Sequence, residues 1–93
     1  MNYKYVLEAT NRYRKDIKLM KRRGKNMELL KTIITKLAKV EKLSPANKDH
    51  ALTGNMAGYR ECHIEPDWLL IYKIHENLLI LTLTRTGTHS DLF

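Results

Sequence analysis

From Tyr3 to Ala9 the positions Tyr3, Tyr5 and Leu7 alternate with Lys4, Val6 and Glu8, the two-residue period of a strand. Thr10 or Asn11 can cap a helix after it and Gly24 can end that helix. Between them Tyr13, Ile17 and Met20 recur at helical spacing and form one apolar stripe. Asn26 can open a second helix, in which Met27, Leu30, Ile33, Ile34 and Leu37 line one face, running to about Lys42. Ser44 to Gly58 holds one of the two prolines and two of the four glycines, with no sustained period, and reads as a loop. Arg60 to Glu65 alternates again, with Cys62 and Ile64 on one face and Glu61 and His63 on the other. Pro66-Asp67 supplies a turn into the apolar stretch Trp68 to Ile74, and Glu76-Asn77 turns the chain into Leu78 to Thr84. Both of these last strands are apolar on both faces, so they belong in the middle of a sheet. The ending RTGTHSDLF is polar except for Leu92 and Phe93.

The resulting order is β-α-α-β-β-β, an α+β fold with two helices packed on one face of a four-stranded sheet. The other face is expected to be open, with Glu61 and His63 directed towards it. At 93 residues the chain buries only roughly 60–65% of the surface it exposes when unfolded, so a single domain over residues 1–93 is expected. No apolar run reaches the length of about 18 residues that a membrane-spanning helix needs. The first residues also lack the apolar centre of a signal peptide. The lone Cys62 can form neither an internal disulfide nor a CxxC metal site, which suits a reducing, cytoplasmic setting.

Charge changes the picture more than composition does. The net charge is +7, and residues 1–25 alone hold nine bases against two acids. Residues 61–93 hold two bases against five acids. In the first helix Arg14, Lys15, Lys18, Lys21, Arg22 and Lys25 gather opposite the apolar stripe. That is either a solvated helix face or a handle for a polyanion.

Four histidines occur, and His50, His63 and His89 fall in the long loop, on the open sheet face and in the polar ending. His75 sits at a hairpin end and reads as an ordinary polar residue. If the fold gathers His50, His63, Asp67 and His89, two chemistries compete. The set could ligate a transition metal, or its imidazoles could act as acid and base without one. No pair has the i, i+4 spacing of a helical metalloprotease site, so spacing does not decide. A basic, histidine-bearing domain fits RNA cleavage, because RNA supplies its own nucleophile in the 2′-hydroxyl. Arg60 and Arg85 are candidates for balancing charge on the phosphoryl group.

Three segments then carry a resemblance: HALTG (His50 to Gly54), YRECHIEPDWLLIY (Tyr59 to Tyr72) and RTGTHSDLF (Arg85 to Phe93). Together they resemble the YafQ branch of the RelE/ParE toxin superfamily, over nearly the whole chain from Tyr3 to Phe93. The resemblance implies a RelE-like fold and a ribosome-dependent mRNA endonuclease that needs no cofactor or metal. It also implies an acidic, DinJ-like antitoxin as partner, in a toxin–antitoxin hetero-oligomer. Carried over, the implied active residues are His50, His63, Asp67 and His89, with Phe93 stacking on an mRNA base, an interaction worth roughly 1–3 kcal/mol. His89 is the expected general acid, and Asp67 the expected base, with His50 or His63 as rivals. Lys15, Lys18, Lys21 and Arg22 would then grip ribosomal RNA. The RelE branch proper uses lysine, arginine and tyrosine in place of histidine, and the ParE branch targets gyrase without cutting RNA. A ParE-like gyrase-directed toxin, a plain RNA-binding module and a metal nuclease are the competing readings.

Overall fold

The structure is a computed structural model that describes residues 3–93. Its strands are β1 (Val6–Ala9), β2 (His50–Ala51), β3 (Arg60–Glu65), β4 (Trp68–His75) and β5 (Ile80–Gly87). Its helices are α1 (Asn11–Arg22), α2 (Met27–Lys39) and α3 (His89–Leu92), with short 3-10 turns at Pro45–Asn47 and Gly54–Met56. The strands form one mixed sheet in the order β1-β5-β4-β3-β2, in which only β1 and β5 run parallel. The α+β class, the central β4 and β5 and the two long helices are as the hydrophobic pattern predicts.

The core lies between the helices and one face of the sheet. Tyr13 and Met20 of α1, Leu30, Ile33 and Leu37 of α2, and Cys62, Trp68, Leu70, Tyr72 and Leu81 of the sheet form one buried cluster. Burying each large side chain contributes about 1.5–3 kcal/mol, which is what holds the two layers together. Trp68 is fully buried, and its indole N–H donates to Thr86 Oγ1 at 2.9 Å. The Thr86 hydroxyl in turn donates to the Leu69 carbonyl at 2.6 Å, so this polar pair is satisfied inside the core.

Four details differ from expectation. The loop after α2 contains β2, whose pairing of His50 with Glu61 and Ala51 with Arg60 adds a fifth strand to the sheet. Two residues are too few to show a period, so only the pairing reveals it. Sheet pairing of the first strand begins at Val6 and not Tyr3, because the N–H groups of Lys4 and Tyr5 donate to the Ala38 carbonyl instead. The second helix stops at Lys39, three residues early, because Val40 turns left-handed (φ 62°) and its N–H and that of Glu41 close back on Leu37 and Lys36. The face opposite the long helices is not bare, since Leu69 and Ile71 are buried there. No helix among the described residues is long and apolar enough to cross a membrane.

Candidate active site

The alternation of β3 buries Cys62 and Ile64 under the helices and turns Glu61 and His63 to the other face. Pairing of β2 with β3 sets His50 directly beside Glu61. The turn at Pro66-Asp67 carries Asp67, and α3 begins at His89, capped by Thr88. These short elements bring together His50, His63, Asp67 and His89, from three separate stretches of chain.

Asp67 and His89 are joined by two hydrogen bonds. The His89 backbone N–H donates to Asp67 Oδ1 at 3.1 Å and its ring Nδ1–H donates to the same oxygen at 2.8 Å. These bonds hold the Asp67 carboxyl below its ordinary range. The rings of His63 and His89 meet edge to face, with centroids 5.8 Å apart.

Glu61 lies at the centre of the set. It is 7% exposed, and its Oε1 stands 3.7 Å from His63 Nε2 and 3.9 Å from His50 Nε2. The other nitrogen of each imidazole faces a backbone carbonyl: His63 Nδ1 meets Pro66 O at 3.2 Å and His50 Nδ1 meets Lys48 O at 2.6 Å. A carbonyl can only accept, so each Nδ1 carries a hydrogen and each Nε2 is left to exchange protons. Sequence reasoning puts Glu61 on the right face but gives it no role. The alternation of β3 is the available signal, and the β2–β3 register is the missing one.

One grouping has the donors for a metal ion. Glu61, His63 and His89 each offer one ligand atom, and all three lie within 4.8 Å of one another. Imidazole nitrogen with one carboxylate oxygen suits zinc or a neighbouring transition metal.

The two arginines are placed differently. Arg60 shares the helix-side face of β3 with Cys62, away from the histidines. Its Nε donates to Tyr72 Oη at 3.2 Å and its Nη2 to Asp49 Oδ2 at 3.3 Å. Its place in the strand period turns Arg60 to the core side, where it ties down the residue preceding His50, so the structure does not bring it together with the histidines as the sequence reading expects. Arg85 donates to Asp16 through Nε at 2.7 Å and Nη2 at 3.1 Å, leaving Nη1 outside that pair. Phe93 is 67% exposed at the end of α3, next to His89 through its backbone N–H, which donates to the His89 carbonyl at 2.9 Å. On α1, Lys15, Lys18, Lys21 and Arg22 are all exposed and form no ion pair among the described residues. Burial pushes the Cys62 thiol up to about 12, so it is no nucleophile.

A family model described as a bacterial toxin of type II toxin-antitoxin systems, YafQ, matches residues 5–93. The chain is 47% identical over 88 residues, 94% of each sequence, to the mRNA interferase toxin YafQ of Escherichia coli K12. Among solved structures, the E. coli DinJ-YafQ toxin-antitoxin complex aligns with TM-score 0.87 at 43% identity, covering 97% of this chain and 98% of that one. A metal-bound toxin from Helicobacter pylori aligns with TM-score 0.91 at 38% identity, covering 96% and 99%.

Proposed function

The chain belongs to the YafQ family of type II toxins, and from that premise we propose that His63 and His89 cleave message by metal-independent acid–base catalysis. The activity itself is that of an mRNA interferase, an endoribonuclease toxin acting on ribosome-bound message. A toxin of this kind works with a cognate antitoxin, and the solved complex of the E. coli relative supports a DinJ-like one here. The charge of +7 favours an acidic partner.

The observation that carries the mechanism is a carboxylate beside each histidine, Asp67 bonded to His89 and Glu61 placed between His63 and His50. His63 Nε2 takes the proton of the 2′-hydroxyl, and the freed oxygen attacks the adjacent phosphorus. The bond from phosphorus to the 5′-oxygen breaks as His89 gives that oxygen its proton. The products are a 2′,3′-cyclic phosphate and a 5′-hydroxyl. Glu61 stands 3.7 Å from His63 Nε2 where the proton arrives, and Asp67 orients the His89 ring through its bond to Nδ1. Asp67 thus gives up the role of base expected from sequence: its Oδ1 already accepts two hydrogen bonds, and its lowered pKa makes it a weaker base. His50, beyond Glu61, is suited to binding a phosphate oxygen, and Arg85 offers Nη1 for the same purpose. Phe93 offers an exposed ring for stacking on a base. The unpaired lysines and Arg22 on α1 are the proposed grip on ribosomal RNA.

The metal-binding H. pylori relative favours a second reading, because Glu61, His63 and His89 fit an ion as well. A metal held there would engage His63 and His89 as ligands, and in the first reading it would compete with their proton transfers. The two readings part in one experiment: cleavage ends are mapped on a translated message with and without a chelator selective for transition metals, with magnesium kept in excess for the ribosome. Metal-independent catalysis gives undiminished cleavage with chelator and loss of cleavage on adding zinc. Loss of cleavage in chelator, restored by metal, would overturn it in favour of a metal nuclease.

A further inference from the structure

We propose that Arg23 and Asp91 are positioning residues for this reaction, a clasp between the end of α1 and α3 that fixes where His89 stands. The proposal rests on the reading of His89 as general acid. Arg23 and Asp91 are 68 residues apart, and their side-chain bonds go to each other and to Thr88. Their pair is a two-pronged one, with Arg23 Nη1 donating to Asp91 Oδ2 at 2.7 Å and Nη2 to Oδ1 at 3.0 Å.

The reason such a clasp is needed lies in α3 itself. Four residues make one turn, which has no independent stability in water because nucleation is unfavourable and nothing follows to propagate it. His89 is the first of those four residues, so the position of its ring follows the position of the turn. Asp91 is the residue that holds the turn together and also holds it down. Its Oδ2 accepts from the Thr88 backbone N–H at 2.9 Å and from the Thr88 hydroxyl at 3.0 Å, while its own N–H donates to Thr88 Oγ1 at 3.2 Å. That closes a capping box around His89. The same carboxylate then takes both Arg23 bonds, the geometry that fixes orientation as well as distance. Seating is close: a Cβ added at Gly87 would stand 2.9 Å from Asp91 Cβ, so only glycine admits the side chain there.

The other end of the clasp is rigid. Arg23 is the C-cap of α1, with its N–H donating to the Leu19 carbonyl at 3.0 Å, and Gly24 beyond it takes φ +78° to turn the chain away. Met20, one turn back, is fully buried. Asp16 of the same helix accepts from the Thr86 backbone N–H at 3.1 Å and from Arg85, which ties α1 to the end of β5. α1 therefore gives α3 a fixed reference, and it is the helix that carries the proposed ribosome grip. Asp67 sets the rotation of the His89 ring, and the clasp sets the location of the backbone beneath it. A displacement of about 1 Å at a reacting group costs up to about 100-fold in rate, so removal of the clasp is visible in turnover.

The test is single-turnover cleavage of ribosome-bound message by Arg23→Ala, Arg23→Lys and Asp91→Asn, with toxin saturating. Arg23→Ala and Asp91→Asn are expected to slow cleavage about 10- to 100-fold with ribosome affinity unchanged. Millimolar guanidinium should restore Arg23→Ala and leave Asp91→Asn slow. Arg23→Lys, which keeps the charge and gives up the two-pronged geometry, should recover only part of the rate. The double variant should be no slower than Asp91→Asn alone, because Arg23→Ala removes only the ion pair that Asp91→Asn has already lost. Unchanged turnover with weakened ribosome binding would make Arg23 one more phosphate ligand and overturn the proposal. A fall in rate without guanidinium rescue, or matched by a fall in folded protein in thermal unfolding, would overturn it as well. His89→Gln is run alongside: if that variant keeps full activity, the acid assignment fails, independently of what the clasp variants do.

Discussion

At the scale of single residues, the His89–Asp67 pair is more than half exposed, so solvent screens its attraction and its use is orientation, not stability. His89→Gln keeps a polar side chain and removes the acidic proton. Its expected effect is a fall of about 10²–10⁴-fold in single-turnover cleavage, with thermal stability near that of the wild type. A substrate whose leaving 5′-oxygen is replaced by sulfur scarcely needs protonation, so on that substrate most of the rate should return. If the sulfur substrate is slowed as much as the normal one, the proton reaches the leaving group from another residue. His63→Gln should show the opposite pattern, slow on both substrates, because base removal of the 2′-hydroxyl proton precedes departure in either case.

At the scale of elements, the end of α2 gives a prediction about stability. Val40 is a β-branched residue in the left-handed region, with 57% of its surface exposed. That conformation costs a non-glycine residue roughly 1–2 kcal/mol, and glycine takes it freely but gives up roughly 0.5–1 kcal/mol more entropy on folding. Val40→Gly should therefore raise stability by up to about 1 kcal/mol, read as a melting temperature a few degrees higher. A lower melting temperature would mean that the valine side chain contributes packing that outweighs the strain. The same residue shows why this boundary is hard to read from sequence: stop signals favour glycine, and here a valine stops the helix through backbone bonds to Leu37 and Lys36. The long elements are legible because periodicity marks β3 and both long helices, and continuous apolar runs between turns mark β4 and β5. β2 is not, because two residues have no period and its existence rests on pairing with a strand ten residues on. α3 is legible in principle, since Thr88 and Asp91 have the spacing of a capping box. Of the site, the histidines and Asp67 stand out by residue type. Glu61 and the core-side placement of Arg60 emerge only when the period of β3 is followed through to its consequences.

At the scale of the whole molecule, charge and chemistry lie in different halves of the chain. The first 25 residues carry nine of the bases, and the histidine cluster is built from residues 50 to 89. Arg23 and Arg85 are already committed to Asp91 and Asp16, so they add little to a field that reaches a distant polyanion. Lys15, Lys18, Lys21 and Arg22 have no such partners among the described residues, and their charge is available to phosphates. Neutralising each phosphate releases counterions, so the logarithm of the ribosome binding constant should fall steeply with the logarithm of salt concentration. Replacing all four by glutamine removes the charge and keeps the length and polarity of the surface. The fold should survive, because these side chains are exposed while Tyr13 and Met20 hold the helix from its buried side. The salt slope should drop by about 4, roughly one for each phosphate that is no longer neutralised. Cleavage at saturating toxin should stay within a few-fold of wild type, because His63 and His89 make their contacts with Glu61, Asp67 and each other and with none of these four side chains. A slope unchanged across the titration would mean that the basic stripe only keeps the helix solvated, and the grip on ribosomal RNA would have to be sought elsewhere on the molecule.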